Sequence, residues 1–215
     1  MSRLPYSQEL PMHSDRHITL FHNPQSRSRG VLVLLEELGA DYSLQRLDLE
    51  RGDQRDAAFL AINPMGKIPA ITHGDSVVTE QAAIYQYLAE LYPDAGLSPA
   101  PGDPDRGAYL RWLAFYGSAF EPALIDKAMK RDAPPRSLSP WADFPTVLAV
   151  VDAQLAKGDY LLGARCSAAD VLWGSALGWM AGFKMIDPPA PTLAYIARMA
   201  ARPAVARAAA VDAGA

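Results

Sequence analysis

Cysteine is nearly missing from this chain: Cys166 stands alone, so no internal disulfide can close, and no second cysteine two residues away completes a dithiol redox pair. A reducing, cytosolic setting is the simplest fit to that scarcity. Apolar runs of about 18 residues or more, which a membrane span needs, are also missing. The first 17 residues are too polar for a secretory leader. Positive charge is in short supply, since 20 Lys and Arg against 24 Asp and Glu leave a net charge of −4, and this excludes the basic footprint of a nucleic-acid binder. The glycine patterns of dinucleotide and P-loop sites are missing too. His13 and His17, four apart without a third ligand, do not make a metal site, and His22 and His73 read as strand-end or turn residues.

What is present supports well-filled cores, because half of the 215 residues (50 %) are hydrophobic, enough for one large or two small domains. Strand and helix signals alternate over residues 18 to 92. Ile18–Phe21 reads as a strand; Val31, Leu34, Leu35 and Leu38 recur at helical spacing, and Gly39 closes that helix. Tyr42–Leu47 is a second strand, and a short helical segment follows around Asp56 to Ile62. Ile68–Thr72 and Ser76–Thr79, joined at Gly74-Asp75, are two more strands, and Ile84, Tyr87, Leu88 and Leu91 mark a further helix. This is the β-α-β-α-β-β-α order of a thioredoxin-like α/β domain.

Pro93 to Pro104 is a linker by composition, and everything after it reads as helical. Leu110, Leu113 and Gly117 mark one stripe; Trp112, Tyr116 and Phe120 mark its neighbour; Pro134 and Pro135 interrupt. Thr146 to Leu155, Ala169 to Met180 and Thr192 to Ala201 follow as helices, and Ala204 to Ala215 is a last helix or a frayed tail. The division is an extension (1–17), a thioredoxin-like domain (18–92), a linker (93–104) and an all-α domain (105–215). Ser167-Ala168-Ala169-Asp170 is an N-capping box, with Cys166 placed for a staple contact to Val171.

The most telling stretch is Asn63 to Ile71, where a turn at Asn63, Pro64 and Gly66 runs into an apolar strand headed by Pro69. Proline cannot donate to a ladder, so Pro69 belongs at a strand's first position or in a cis turn. Val77 to Ile84 reads as a strand passing straight into a helix, with Thr79 as its cap and Glu80 and Gln81 in its first turn. The free N–H groups there face an anion.

Together with the Asn23-Pro24-Gln25-Ser26-Arg27-Ser28-Arg29 loop and the Ser167–Asp170 box, these segments resemble the glutathione S-transferase family, over nearly everything from Ile18 to about Pro203. The resemblance implies a cytoplasmic homodimeric transferase that serves detoxification, takes glutathione as co-substrate and joins its thiolate to a small apolar electrophile. It implies that the Ile68 backbone, ahead of a cis Pro69, pairs with the tripeptide, that Lys67 meets the glycine carboxylate, and that Glu80 and Gln81 hold the γ-glutamyl end. It also implies that the first helix of the second domain, carrying Tyr109, Trp112 and Tyr116, walls the electrophile pocket; a plain core stripe is the other reading of those residues. A glutathione-dependent isomerase, peroxidase or dehalogenase, or a non-catalytic module, would fit the same fold.

The loop departs from the family's better-known classes, because neither a tyrosine nor a cysteine appears there and Arg27 stands where the cysteine would fall. A free thiol has a pKa of about 8.5, and lowering it by about two units takes roughly 2.7 kcal/mol of preference for the anion. A hydrogen bond to a charged acceptor supplies about 1.5–3 kcal/mol and a helix N-terminus about 0.3–1 kcal/mol. One hydroxyl at a helix start therefore suffices. Ser26 and Ser28 both offer it, with Ser26 preferred to meet the sulfur and Ser28 expected to be buried or capping. Asn23 or Gln25 could serve as an amide donor instead.

Overall fold

The computed structural model describes residues 16–132, 135 and 137–214, so most of the N-terminal extension, with His13, and Pro134 lie outside it. Strand β1 (Ile18–His22) is central because Ile18 and Leu20 are fully buried. It pairs in parallel with β2 (Tyr42–Arg46) and antiparallel with β3 (Ala70–His73), which pairs antiparallel with β4 (Ser76–Val78). The order β2-β1-β3-β4 makes a 4-stranded mixed sheet, the thioredoxin-like arrangement that the sequence implied.

Helix α1 (Ser28–Leu38) buries Val31, Leu34, Leu35 and Leu38 on the sheet and ends at Gly39, whose φ of 59° is open to glycine without steric cost. Short α2 (Ala57–Leu60) covers the opposite face, where Phe59 packs against Phe21, Leu47 and Ala70. Helix α3 (Gln81–Leu91) lies beside α1 and buries Ile84, Tyr85 and Leu88. The Ile68–Pro69 bond is cis, and Pro69 immediately precedes β3. Thr79 is not the cap of α3: the N-cap position belongs to Glu80, at φ 63°, and its side chain makes no cap hydrogen bond.

Pro93 to Ala95 form a 3₁₀ turn, after which Leu97 is buried and its carbonyl accepts from Ala168 N at 2.8 Å, so the connecting segment is tied to the helices. Helix α4 (Arg106–Phe115) passes through a π-helical turn, Tyr116–Phe120, into α5 (Glu121–Ala128). Helices α6 (Phe144–Leu155), α7 (Ala168–Gly182), α8 (Ala190–Ala200) and α9 (Pro203–Ala213) follow, and the alanine-rich end is thus a helix, with Ala204 and Ala208 buried. The Ser167–Asp170 capping box is formed: the Asp170 carboxylate accepts from Ser167 N at 2.9 Å and from Leu161 N at 2.8 Å. Fully buried Trp173 sits among Trp112, Tyr116 and Phe120, with ring centroids 4.7–5.8 Å away, and its Nε1 donates to the Trp112 carbonyl at 3.0 Å.

Candidate active site

Strand register brings three chain segments to one end of the sheet. Phe21 faces Ala70 across β1 and β3, and Ile71 faces Val78 across β3 and β4. The loop after β1, the Lys67–Pro69 segment before β3 and Glu80 after β4 therefore emerge side by side. Residues expected to meet sulfur, to pair with the tripeptide and to hold its amino end share this edge.

Asn23 shapes the first of these loops. Its side-chain amide donates to the Leu47 carbonyl at 2.9 Å, its Oδ1 accepts from Gln25 N at 2.9 Å, and its carbonyl accepts from Ser26 N at 3.0 Å. The amide of Asn23 is thereby committed to the fold, while Gln25 is exposed and lines the cavity described below. Ser26 is half-buried, and its Oγ accepts from Ser28 N at 3.1 Å, the bond a capping side chain makes at a helix start. Ser28 is not a cap: it is the first residue of α1, wholly buried, with its Oγ 2.7 Å from Ser26 Oγ and 2.9 Å from His22 Nδ1. Of the two serines, Ser26 alone lines the cavity.

That cavity, of about 770 Å³, opens between the Pro24–Arg29 loop, α1, the start of α3, the π-helical turn and α7. Its walls are mostly apolar, with Val33, Leu124, Leu172 and Met180 inside and the aromatic pair Trp179 and Phe183, 51 % and 68 % exposed and 4.8 Å between centroids, at its rim. Glu121 Oε1 accepts from Arg27 Nε at 2.8 Å and from the Tyr116 phenol at 2.6 Å, joining the loop to the helices across the cavity. Burial, reinforced by Glu121, holds the Tyr116 phenol far above its ordinary pKa. Tyr85, fully buried, brings its hydroxyl to the same wall without a hydrogen-bond partner among the described residues, opposite Gly30, where an added Cβ would lie 2.5 Å from that oxygen.

The structure thus gathers Ser26, Gln81 and Tyr116 around one cavity. Tyr109 and Trp112 do not line it: both are core residues, 0 % and 2 % exposed, and burial pushes the Tyr109 phenol up to about 12. All three lie on one regular helical run, since Tyr116 N–H still bonds the Trp112 carbonyl and the π-helical turn begins only at Tyr116; of the stripe, Tyr116 alone lies on the cavity wall. Exposed Lys67, half-buried Ile68, buried Pro69 and exposed Glu80 stand outside the cavity at the sheet end. Glu80 keeps a positive φ of 63° in a non-glycine residue, a strained conformation of the kind that clusters at ligand sites. His22 ends β1, the strand-end place its sequence position implied, while Asp212, Glu121 and Tyr85 carried no signal that pointed to the site. Only the aromatic pair Trp179 and Phe183 left a local sign, as apolar residues at the end of α7.

Comparison with known proteins finds relatives of this chain. Residues 16–90 match the family model described as Glutathione S-transferase, N-terminal domain. Glutathione S-transferase F10 of Arabidopsis thaliana is 30 % identical over 169 residues, 72 % of this chain and 76 % of that protein. Glutathione S-transferase GstA of Escherichia coli O157:H7 is 29 % identical over 195 residues, 86 % of this chain and 94 % of that protein. A sphingomonad glutathione S-transferase solved in complex with glutathione is 31 % identical, with a TM-score of 0.72 over 92 % of this chain and 100 % of the other.

Proposed function

The chain belongs to the glutathione S-transferase family, and from that premise we propose that it is a transferase that binds glutathione at the open end of its sheet and activates the thiol at Ser26. The observation that carries the reading is the position of the Ser26 hydroxyl: it stands at the N-terminus of α1, on the wall of the cavity, beside the edge where Ile68 and Glu80 emerge. There the tripeptide's backbone pairs with Ile68, its glycine carboxylate meets Lys67, and its γ-glutamyl group meets Glu80 and Gln81. The thiol then lies over Ser26.

Ser26 donates to the thiolate, and the α1 N-terminus adds its dipole; together they give the anion about 2–4 kcal/mol, enough for thiolate at neutral pH. The sulfur lone pair forms a C–S bond with an electrophilic carbon, and a leaving group departs with the electron pair of the bond it breaks, or the adduct takes up a proton. The apolar walls and the Trp179 and Phe183 rim favour an apolar, aromatic-compatible electrophile. The working unit in this reading is a cytoplasmic homodimer whose glutathione domain spans residues 18–92 and whose helical domain spans 105–215, joined through 93–104.

Calorimetric titration with glutathione, followed by an assay of conjugate formation with an aryl halide, tests this reading. Saturable binding with turnover is expected; no binding heat and no rise in melting temperature at millimolar glutathione would remove the enzyme assignment.

A further inference from the structure

Behind Ser26 runs an unbroken chain of hydrogen-bonding groups that ends on the last helix. Ser26 Oγ is 2.7 Å from Ser28 Oγ, Ser28 Oγ is 2.9 Å from His22 Nδ1, and His22 Nε2 is 2.8 Å from Asp212 Oδ1, 190 residues further along the chain. Ser28 and His22 are wholly buried, and the Asp212 side chain is 10 % exposed. Helix α9 is fixed in place to deliver that carboxylate: Arg202 forks onto Glu37 of α1, Arg207 Nε donates to Glu36 at 2.8 Å, and Arg46 of β2 donates to the Val211 carbonyl at 2.9 Å.

Elementary donor and acceptor counting sets the direction of the chain at its His22 end. A carboxylate only accepts, so the proton between His22 and Asp212 sits on Nε2, and in a neutral ring Nδ1 is then an acceptor. Nδ1, as an acceptor 2.9 Å from Ser28 Oγ, takes that hydroxyl's one proton in preference to the Asn23 carbonyl at 3.1 Å, while the Ser28 oxygen receives Asn23 N–H at 3.0 Å. The lone pair left on Ser28 Oγ, 2.7 Å from Ser26 Oγ, is open to the Ser26 hydroxyl, which also has the Asn23 carbonyl as an acceptor at 2.9 Å. With the Ser26 hydroxyl turned onto Ser28 rather than onto the Asn23 carbonyl, every proton points from the cavity toward His22. Burial keeps the ring neutral at rest by lowering its pKa; Asp212 opposes that, and Arg46 and Arg29 add to it. These three, from α9, β2 and α1, are the charged groups among the described residues that act on the ring.

We propose that His22, backed by Asp212, receives the thiol proton of bound glutathione through Ser26 and Ser28. The S–H proton passes to Ser26 Oγ, the Ser26 proton to Ser28 Oγ, and the Ser28 proton to His22 Nδ1. One S–H bond breaks, one Nδ1–H bond forms, and no outside reactant takes part. Afterwards every link is still made with its direction reversed: Nδ1–H donates to Ser28, Ser28 to Ser26, and Ser26 to the thiolate. The Asp212 carboxylate faces the new imidazolium, as the acid of a hydrolase triad faces its histidine. When the product leaves, the proton returns along the same chain to water in the cavity. His22 and Asp212 touch no substrate and act through the two serines.

The inference rests on Ser26 being the sulfur's partner, so the test reads that assignment separately. Glutathione binding at pH 7 is followed by thiolate absorbance at about 240 nm, and protons released are counted by calorimetry in two buffers of different ionisation enthalpy, with S-methylglutathione as the thiol-free control. The intact protein is expected to form thiolate while releasing far fewer protons than thiolates, and the ¹⁵N signals of His22 move from a neutral ring with Nε2–H to an imidazolium. Asp212→Asn, nearly isosteric, should cut the thiolate fraction about ten-fold, one pKa unit, with little change in glutathione Kd. One proton released per thiolate, a ring that stays neutral, or an Asp212→Asn variant with full thiolate overturns the relay. If Ser26→Ala leaves the thiolate signal intact, the Ser26 assignment fails and the relay falls with it; if Ser26→Ala abolishes the signal while the intact protein releases the full proton, only the relay fails. The wild-type proton count and ¹⁵N signals decide the question even where a variant does not fold.

Discussion

Arg27 Nε donates to Glu121 Oε1 across 2.8 Å, so the loop that carries Ser26 is pinned to the helices that form the far wall of the cavity. The Arg27 side chain is 46 % exposed, and an ion pair so open to solvent contributes about 0–1 kcal/mol. Its role is to hold the wall in place. Glu121→Gln should therefore lower stability by no more than about 1 kcal/mol in a urea titration. The same variant should raise KM for an aromatic electrophile several-fold while glutathione Kd stays within two-fold. A stability loss above about 3 kcal/mol, or unchanged KM, contradicts this placement.

Asp170 is buried and accepts from two buried backbone donors, Leu161 N and Ser167 N, besides the hydroxyls of Ser167 and Tyr195. Asp170→Ala leaves both N–H groups unpaired at about 1–3 kcal/mol each, so unfolding by urea should show a loss of about 2–5 kcal/mol. A loss under about 1 kcal/mol would mean that water replaces the carboxylate.

Cys166 is half-buried, and burial, assisted by Asp170, pushes its thiol from 9.0 up to about 12. The native thiolate fraction near pH 8 is then lower by about three decades than in the unfolded chain. Alkylation by iodoacetamide should be at least about 100-fold slower in the folded protein than in guanidinium. The folded state keeps this proton longer than the unfolded one, so the thiol's contribution to stability is intact below pH 9.0 and is lost as pH climbs toward about 12. Equal alkylation rates in both states would contradict the burial.

His22 has the opposite sign. Its folded pKa lies below 6.5, so the unfolded chain binds the proton first as pH falls. The ligand-free protein should lose stability as pH drops from 7 through 6.5, and His22→Gln should flatten that slope relative to the wild type. Parallel slopes for the two proteins would show that the ring is not held neutral.

Local pattern carried much of the fold. Val31, Leu34, Leu35 and Leu38 marked α1, Gly39 its end, Pro69 the turn before β3, and Ser167 with Asp170 the start of α7, because each is a one-residue rule acting over a few positions. Of the residues proposed for the site, local pattern pointed to Ser26 and Gln81, which line the cavity. Tyr109 and Trp112 pack into the core while Tyr116 on the same helical run lines the cavity, and nothing in an aromatic stripe says which of its members another helix will cover. Thr79 has the chemistry of a cap, yet the strained backbone of Glu80 starts α3 one residue later. The pairing of His22 with Asp212 spans 190 residues and depends on how α9 docks, so no window of sequence contains it.

The most direct test of the central claim is the pH titration of thiolate absorbance for glutathione bound to the wild type and to Ser26→Ala. A lost hydrogen bond to a charged acceptor, about 1.5–3 kcal/mol, corresponds to about one to two pKa units. The account predicts that the bound thiol's pKa rises by that amount in Ser26→Ala while glutathione Kd barely moves. Superimposable titrations of the two proteins would contradict it and assign the sulfur to another donor.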